Sequence, residues 1–233
     1  PPRSTPLYSS AASDVYKRQV IVVDDEDREN EGDLVMAAEA VTSEAVNFMV
    51  TKGRGLVCVP MTTDRLRELE LPMMVQENTS REATAFTISV DLLEGTTTGI
   101  SAQDRAATIK SLVDDSTEPK DLGRPGHIFP LRYADGGVLV RAGHTEASVD
   151  LARMAGCYPA GVLCEVLAED GSKAQMNQLE ELSTEYKIGI ISIASINFQS
   201  LLSAPSNRQL LMPFFLRLSN ICLLYTSPSP RDR

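Results

Sequence analysis

The sequence contains no tryptophan, and aromatic residues make up only 5% of its 233 positions. No apolar run approaches the roughly 20 residues that a membrane-spanning helix needs, so we expect no membrane partner. The four cysteines include no CxxC pair and no dense spacing, which disfavours a disulfide scaffold and predicts reduced thiols in the cytoplasm. Cations are also scarce: 22 Lys and Arg face 32 Asp and Glu, and the net charge of −10 argues against a nucleic-acid partner.

Both ends of the chain lack the periodicity of the middle. The stretches SSAASDVYKRQ and CLLYTSPSPRD resemble translated adapter DNA from sequencing libraries, and PPRST fits the flanking primer. We therefore expect residues 1–19 and 222–233 to be non-native and disordered, a folded domain over residues 20–196, and an uncertain segment over residues 197–221. The two end segments carry charges of +2 and +1, so the body between them carries −13.

Within the body, short apolar runs alternate with helical patterns, without an internal linker or repeat. The runs predict strands at Val20–Val23, Leu34–Ala38, Gly55–Val59, Ala85–Val90, Ile128–Leu131, Val138–Val140, Gly161–Leu167 and Gly189–Ile193. The helical patterns start at Thr42 or Ser43, Thr63, Ser101, Thr145 and Met176, and Pro119–Gly126 is predicted to be a loop. This mixture predicts one α+β domain, with a mixed twisted β-sheet layered with helices in a three-layer α/β/α-like arrangement.

The segment Asp24–Asp33 holds seven carboxylates in ten positions, with Arg28 as its only cation. Such a run is commonly a solvated surface. Here it lies between two predicted strands, where crowded carboxylates repel one another and a hard divalent cation such as Mg²⁺ would offset them. The pattern leaves both interpretations open.

The two histidines lie in glycine-containing turns beside an arginine. His127 is in RPGHIFP and His144 is in RAGHTEAS. An isolated histidine is more often a structural hydrogen-bonding group than a catalyst. His144, however, directly precedes a predicted helix, where Arg141, the Gly143 backbone and the Thr145 hydroxyl would cradle a phosphate. The His144 ring could also bind a metal.

Glu165 lies on an apolar predicted strand, GVLCEVL. Strand alternation allows it to face water, whereas an inward position would raise its pKa and suit a general acid or base. The cysteines are expected to be core residues rather than nucleophiles. The stretch Thr98–Ser101 is expected to be an ordinary turn and helix cap.

Several long motifs, in order, resemble the 3,4-dihydroxy-2-butanone 4-phosphate synthase family of riboflavin biosynthesis. They are VDDEDRENEGDLVMAAE, TGISAQDRAATI, RPGHIFPLRY, GGVLVRAGHTEASVDLARMAGCYPAGVLCEVL and EDGS, which run from about Val20 to Ala194. The resemblance implies a lyase that converts D-ribulose 5-phosphate to L-3,4-dihydroxy-2-butanone 4-phosphate and formate. It implies metal-stabilised enediol chemistry with a skeletal rearrangement, Mg²⁺ or Mn²⁺ with two ions per site, and a homodimer with active sites near the subunit interface.

The same resemblance assigns roles to individual residues. Glu29 and His144 are implied as metal ligands, and His127 and Glu165 as the residues essential for catalysis. The implied substrate-binding set is Arg28, Glu29, Asp33, Arg141, Ala142, Gly143, His144, Thr145 and Glu165. Cys58, in GLVCVP, corresponds to a cysteine near the substrate.

The sequence departs from the family pattern after EDGS, where KAQMNQ replaces a Met-Ala-Arg-Met-Pro-like run. Many relatives carry a C-terminal GTP cyclohydrolase II domain, whose zinc-binding cysteines are missing from this sequence, so we expect synthase activity only. Three alternatives stay open: an inactive sugar-phosphate-binding module, a nucleotide- or RNA-binding domain of YrdC-like type, and a fragment of a longer bifunctional chain.

Overall fold

The structure is a computed structural model that describes residues 19–24 and 31–196, and its centre is a mixed seven-stranded sheet. The strands are β1 Val20–Val23, β2 Gly32–Ala37, β3 Arg54–Met61, β4 Val90–Leu92, β5 Leu122–Arg132, β6 Gly161–Val166 and β7 Gly189–Ser192. Their spatial order is β4-β5-β3-β6-β2-β1-β7. The β1–β7 and β3–β5 pairs are parallel and the other neighbours are antiparallel, which confirms the predicted mixed α+β sheet.

Helices cover both faces of this sheet. They are α1 Ser43–Phe48, α2 Thr63–Glu68, α3 Ala102–Leu112, α4 His144–Met154 and α5 Met176–Tyr186. Helices α1, α2, α3 and α5 contribute to the larger apolar core on one face. Helix α4 packs on the other face through Ala147 and Leu151, against Val20, Val35 and Leu163. The alternation of side chains along each strand separates the two cores.

The helix starts follow from capping residues that the sequence provides. Ser101 accepts a hydrogen bond from the Asp104 backbone NH at 3.0 Å, as its SAQD motif predicts. Thr42, rather than Ser43, caps α1. The prediction that Thr145 caps α4 was wrong: the N-cap is Gly143, and Thr145 lies inside the first turn. This difference buries the Thr145 side chain at the site described below.

Three predicted elements have other conformations. The apolar run Val138–Val140 is not a strand, because two left-handed glycines precede it and it begins with a 3₁₀ turn, Gly137–Leu139. The run Ala85–Val90 is mostly irregular and makes single bridges at Phe86 and Thr87. Strand β5 includes much of the predicted loop Pro119–Gly126, because β4 pairs with its first half.

We expected Gln19 to belong to the disordered N-terminal segment. The structure instead places it next to β1, where it is only 1% exposed. The predictions for residues 1–18, 197–221 and 222–233 fall outside the described residues. Among the described helices, none combines the length and the apolar character that crossing a membrane requires.

Candidate functional site

Three predicted site residues meet on the sheet face that α4 covers. Asp33 of β2 lies directly opposite Glu165 of β6, and Cys58 of β3 is paired with Leu163, two residues before Glu165. Residues two apart on a strand share a face, so these carboxylates and the thiol face the same region. Asp33 is 2% exposed and Cys58 is 1% exposed.

Glu165 faces inward, as the second interpretation of its strand predicted, and the backbone of β3 fixes its position. The Leu56 NH donates to its Oε2 at 2.8 Å. Gly55 makes this approach possible, because a Cβ at residue 55 would lie 2.6 Å from Oε2. Burial raises the pKa of Glu165, while the backbone NH groups and the nearby His144 oppose this rise. A raised pKa makes this carboxylate a stronger base than an exposed glutamate, which suits a group that accepts and returns a proton.

The N-terminus of α4 lies at the same site. His144 and Thr145 occupy its first turn, and each is 6% exposed. The backbone NH groups of a first helical turn have no partner within the helix and favour anions. The His144 Nε2 lies 3.2 Å from the Val22 carbonyl oxygen of β1. If Nε2 donates there, Nδ1 is the nitrogen that remains an acceptor.

Arg141 is held beside this helix start by a buried carboxylate that the sequence analysis missed. Its Nη1 donates to Glu146 Oε2 at 2.7 Å, and its Nη2 donates to the Glu82 carbonyl at 3.2 Å. Glu146 is 1% exposed and also accepts from the Ala134 NH at 3.2 Å. A glutamate one position after the RAGHT motif was the available signal, since acidic residues favour the first turn of a helix. Ala142, which follows Arg141, is exposed.

A cavity of about 100 Å³ connects these groups. Its lining includes Asp33, Cys58, Arg141, His144, Thr145 and Glu165. Thr84 and Phe86, from the irregular segment before β4, close one side. An adjoining cavity of about 500 Å³ shares Glu31 and Glu165 with it and also contacts Lys173. The sequence did not indicate Thr84 or Phe86, because no pattern marks a loop that folds over a distant site.

His127 does not join this cluster. It lies on β5, where its Nδ1 is 2.6 Å from Asp91 Oδ2 of β4. Its side chain is 41% exposed. Among the described residues, no contact connects His127 with Glu165 or His144. The structure therefore brings one predicted catalytic residue to the cavity and places the other on the β4–β5 pair.

The predicted metal ligand Glu29 and the predicted substrate contact Arg28 fall outside the described residues. They belong to the connection between β1 and β2, whose ends are joined by a hydrogen bond from the Glu31 NH to Asp24 Oδ1 at 2.8 Å. Within residues 19–24 and 31–196, no three His, Cys, Asp or Glu side chains group closely enough to hold a metal. The carboxylates at the cavity are nevertheless oxygen donors of the kind that Mg²⁺ and Mn²⁺ prefer, and the buried His144 imidazole lies beside them.

Both the sequence and the fold are similar to those of known proteins. The family model for 3,4-dihydroxy-2-butanone 4-phosphate synthase matches residues 13–198. A riboflavin biosynthesis protein RibBA from Cytophaga hutchinsonii is 58% identical over 178 residues, which are 76% of this chain and 44% of the relative. The Arabidopsis thaliana bifunctional riboflavin biosynthesis protein RIBA 1, chloroplastic, is 54% identical over 198 residues, or 82% of this chain and 36% of the relative.

This chain therefore spans less than half the length of these two curated relatives. One solved structure, a 3,4-dihydroxy-2-butanone 4-phosphate synthase in complex with two magnesium ions, is 39% identical with a TM-score of 0.71. The match covers 80% of this chain and 93% of that one. The fold described above is thus shared with a protein that binds magnesium.

Proposed function

Because the chain belongs to the 3,4-dihydroxy-2-butanone 4-phosphate synthase family, we propose that it converts D-ribulose 5-phosphate to L-3,4-dihydroxy-2-butanone 4-phosphate and formate in riboflavin biosynthesis. The observation that carries this proposal is a cavity that is lined both by the facing carboxylates Asp33 and Glu165 and by the first turn of α4. A sugar phosphate needs both features, since one end must be held while protons move at the other.

The phosphate end of the substrate is assigned to the start of α4. Arg141 supplies the positive charge, and the backbone NH groups and the Thr145 hydroxyl supply further donors. Because Glu146 and the Glu82 carbonyl hold the Arg141 guanidinium, it is already ordered before substrate binds. Preordering reduces the entropy cost of binding.

The sugar end is assigned to Glu165 and Asp33. The reaction removes the C3 proton of the ketose, loses the C1 hydroxyl and releases C4 as formate, so several protons must move at one place. Glu165 is the group on the sheet best suited to this role, because it is positioned by the Leu56 NH and has a raised pKa. Asp33 is proposed to accept hydrogen bonds from substrate hydroxyls. Cys58 faces the same cavity, and burial raises the pKa of its thiol well above the usual value, so it contributes packing rather than a thiolate.

We propose that Glu29 and His144 bind Mg²⁺ or Mn²⁺, with two ions per site. When bound, such ions supply Lewis-acid stabilisation of the negative charge that develops during the reaction. The carbonyl contact of His144 supports its role, because a metal-binding imidazole generally donates its other NH to a carbonyl or carboxylate.

The proposed assembly is a homodimer in which His127 acts in the site of the other subunit. The separation of His127 from the cavity supports this, because a second copy would supply the missing residue. Leu93 and Ile100, in the segment that follows β4, are 61% and 54% exposed and would be covered in such a dimer. Cytoplasmic location stays a prediction from the thiols, since one relative is named chloroplastic.

Formate release from D-ribulose 5-phosphate tests the proposed reaction. The enzyme should lose activity in EDTA and regain it with Mg²⁺. Glu165→Gln should lower turnover by on the order of 10²-fold or more, as expected when a general acid or base is lost. Glu169→Gln, an exposed carboxylate four residues along, is the matched control. No formate with either metal, together with retained sugar-phosphate binding, would instead support an inactive binding module.

Mixing inactive variants tests the dimer. His127→Ala and Glu165→Gln should each retain only a small fraction of the activity alone, but a mixed dimer regains one intact site if His127 acts across the interface. Refolding the two variants together should therefore restore part of the activity. Absence of restoration in a verified mixed dimer would place His127 and Glu165 in the same subunit's site.

A further inference from the structure

The His127 imidazole is fixed by two hydrogen bonds to one carboxylate. Its Nδ1 lies 2.6 Å from Asp91 Oδ2, and its backbone NH donates to Asp91 Oδ1 at 2.8 Å. A carboxylate only accepts hydrogen bonds, so both nitrogens must donate. In the neutral ring this places the proton on Nδ1 and leaves Nε2 as the acceptor.

Two glycines allow this arrangement. Gly126 lets β5 lie against β4, since a side chain there would overlap the Val90–Asp91 backbone, and its NH donates to Ser89 Oγ at 3.2 Å. Gly99 adopts a φ of +89° beside the Asp91 carboxylate, and a Cβ at residue 99 would overlap that carboxylate. The Asp91 side chain is 16% exposed, so it has little freedom to turn towards solvent.

We propose that Asp91 is a positioning residue that fixes the tautomer and orientation of His127, so that Nε2 is the atom presented for proton transfer. This inference rests on the proposed function for its kinetic consequences, but the tautomer itself does not depend on the substrate. Asp91 touches His127 and is assigned no contact with substrate. We therefore expect its effect on the reaction to be transmitted through the imidazole.

Asp91→Asn tests the proposal with little change in shape. The amide oxygen of the substituted side chain can still accept the His127 backbone NH, but the amide NH₂ group then faces Nδ1 and cannot accept from it. The ring proton should therefore move to Nε2. Glu94→Gln removes the same charge from an exposed position three residues along and serves as the control.

Nitrogen-15 NMR of the histidine rings at alkaline pH distinguishes the two neutral tautomers. The chain has only two histidines, so His127→Ala assigns the spectrum. Wild type and Glu94→Gln should show His127 protonated at Nδ1, and Asp91→Asn should show it protonated at Nε2. An unchanged tautomer in Asp91→Asn would overturn the proposal, even if the protein released no formate.

Kinetics of the same variants separate a positioning role from a structural one. Asp91→Asn should lower kcat by on the order of 10-fold or more and leave KM nearly unchanged. The loss in His127→Ala should be at least as large. In the His127→Ala background, Asp91→Asn should have no further effect. An equal loss in both backgrounds, or a loss confined to KM, would show that Asp91 acts independently of His127. If wild type releases no formate, the proposed function fails and the NMR result alone decides the role of Asp91.

Discussion

Replacing Glu146 by glutamine tests whether a buried ion pair holds Arg141 at the cavity. Glu146 is 1% exposed, accepts from Arg141 at 2.7 Å and lies in the first turn of α4. Glutamine has nearly the same volume and can still accept from Arg141 or from the Ala134 NH. The substitution therefore removes a charge without creating a cavity.

The expected loss of stability has three parts. Exchanging a charge-assisted hydrogen bond for a neutral one costs about 1 kcal/mol. Losing a negative charge at a helix N-terminus costs about 0.3–1 kcal/mol. The Arg141 guanidinium loses its counter-charge but keeps a neutral acceptor, and its side chain is 29% exposed to water, so this part adds about 1 kcal/mol rather than the several kcal/mol of a fully buried, unpaired charge. The total should be about 2–3 kcal/mol, which corresponds to a decrease in Tm of roughly 5–10 °C for a domain of this size.

Urea and thermal unfolding of Glu146→Gln would measure this loss. The control is Asp64→Asn, which breaks the Arg67–Asp64 ion pair of 3.0 Å, whose two side chains are 73% and 83% exposed. That change should cost under about 1 kcal/mol, because ion pairs exposed on both sides contribute little. Equal stability losses in the two variants would refute the argument that burial makes the Arg141–Glu146 pair important. The KM for ribulose 5-phosphate should rise only in Glu146→Gln, since Arg141 loses its fixed position.

Three further predictions concern the metal, the thiols and the chain ends. His144→Ala should raise the Mg²⁺ concentration for half-maximal activity by on the order of 10-fold, and an unchanged requirement would refute its ligand role. Burial raises the pKa of Cys164 to about 12 and that of Cys58 well above normal. The thiolate fractions of both cysteines at pH 8 are therefore very small. Iodoacetamide labelling of the folded protein, resolved by peptide, should be slow at both cysteines. Rapid labelling at either one would contradict the burial argument. Removing residues 1–18 and 222–233 should leave Tm unchanged, because neither segment has an apolar face to bury; a fall of several degrees would show that they pack.

Local patterns in the sequence predicted the elements whose formation depends on neighbouring residues. The Ser101 cap, the helix Met176–Tyr186 and the strands β1, β2 and β6 follow from capping chemistry and apolar periodicity, and they are found close to their predicted places. The quoted family motifs also contain residues that line the cavity, among them Asp33, Arg141 and Glu165. For such features, the information lies within a few positions of the chain.

Where local preference competes with distant pairing, the predictions were wrong. Val138–Val140 has β-branched, apolar residues but forms no strand, because the two glycines before it have positive φ and start a tight turn. The Val138 NH at this turn donates to the Asp150 carboxylate of α4 at 2.9 Å. The first half of β5 has the composition of a loop, yet it is a strand because β4 offers backbone partners. Both outcomes depend on residues that are not adjacent in sequence.

The sequence by itself determined which chemical groups the protein has and which short segments carry them. Only the tertiary structure decided which of those groups meet. Sheet register places Asp33 opposite Glu165. The fold also places His127 beside Asp91, away from the cavity. The physical reason is that strand order and register are set by the packing of two cores against one sheet, and a one-residue shift would turn each of these side chains to the opposite face.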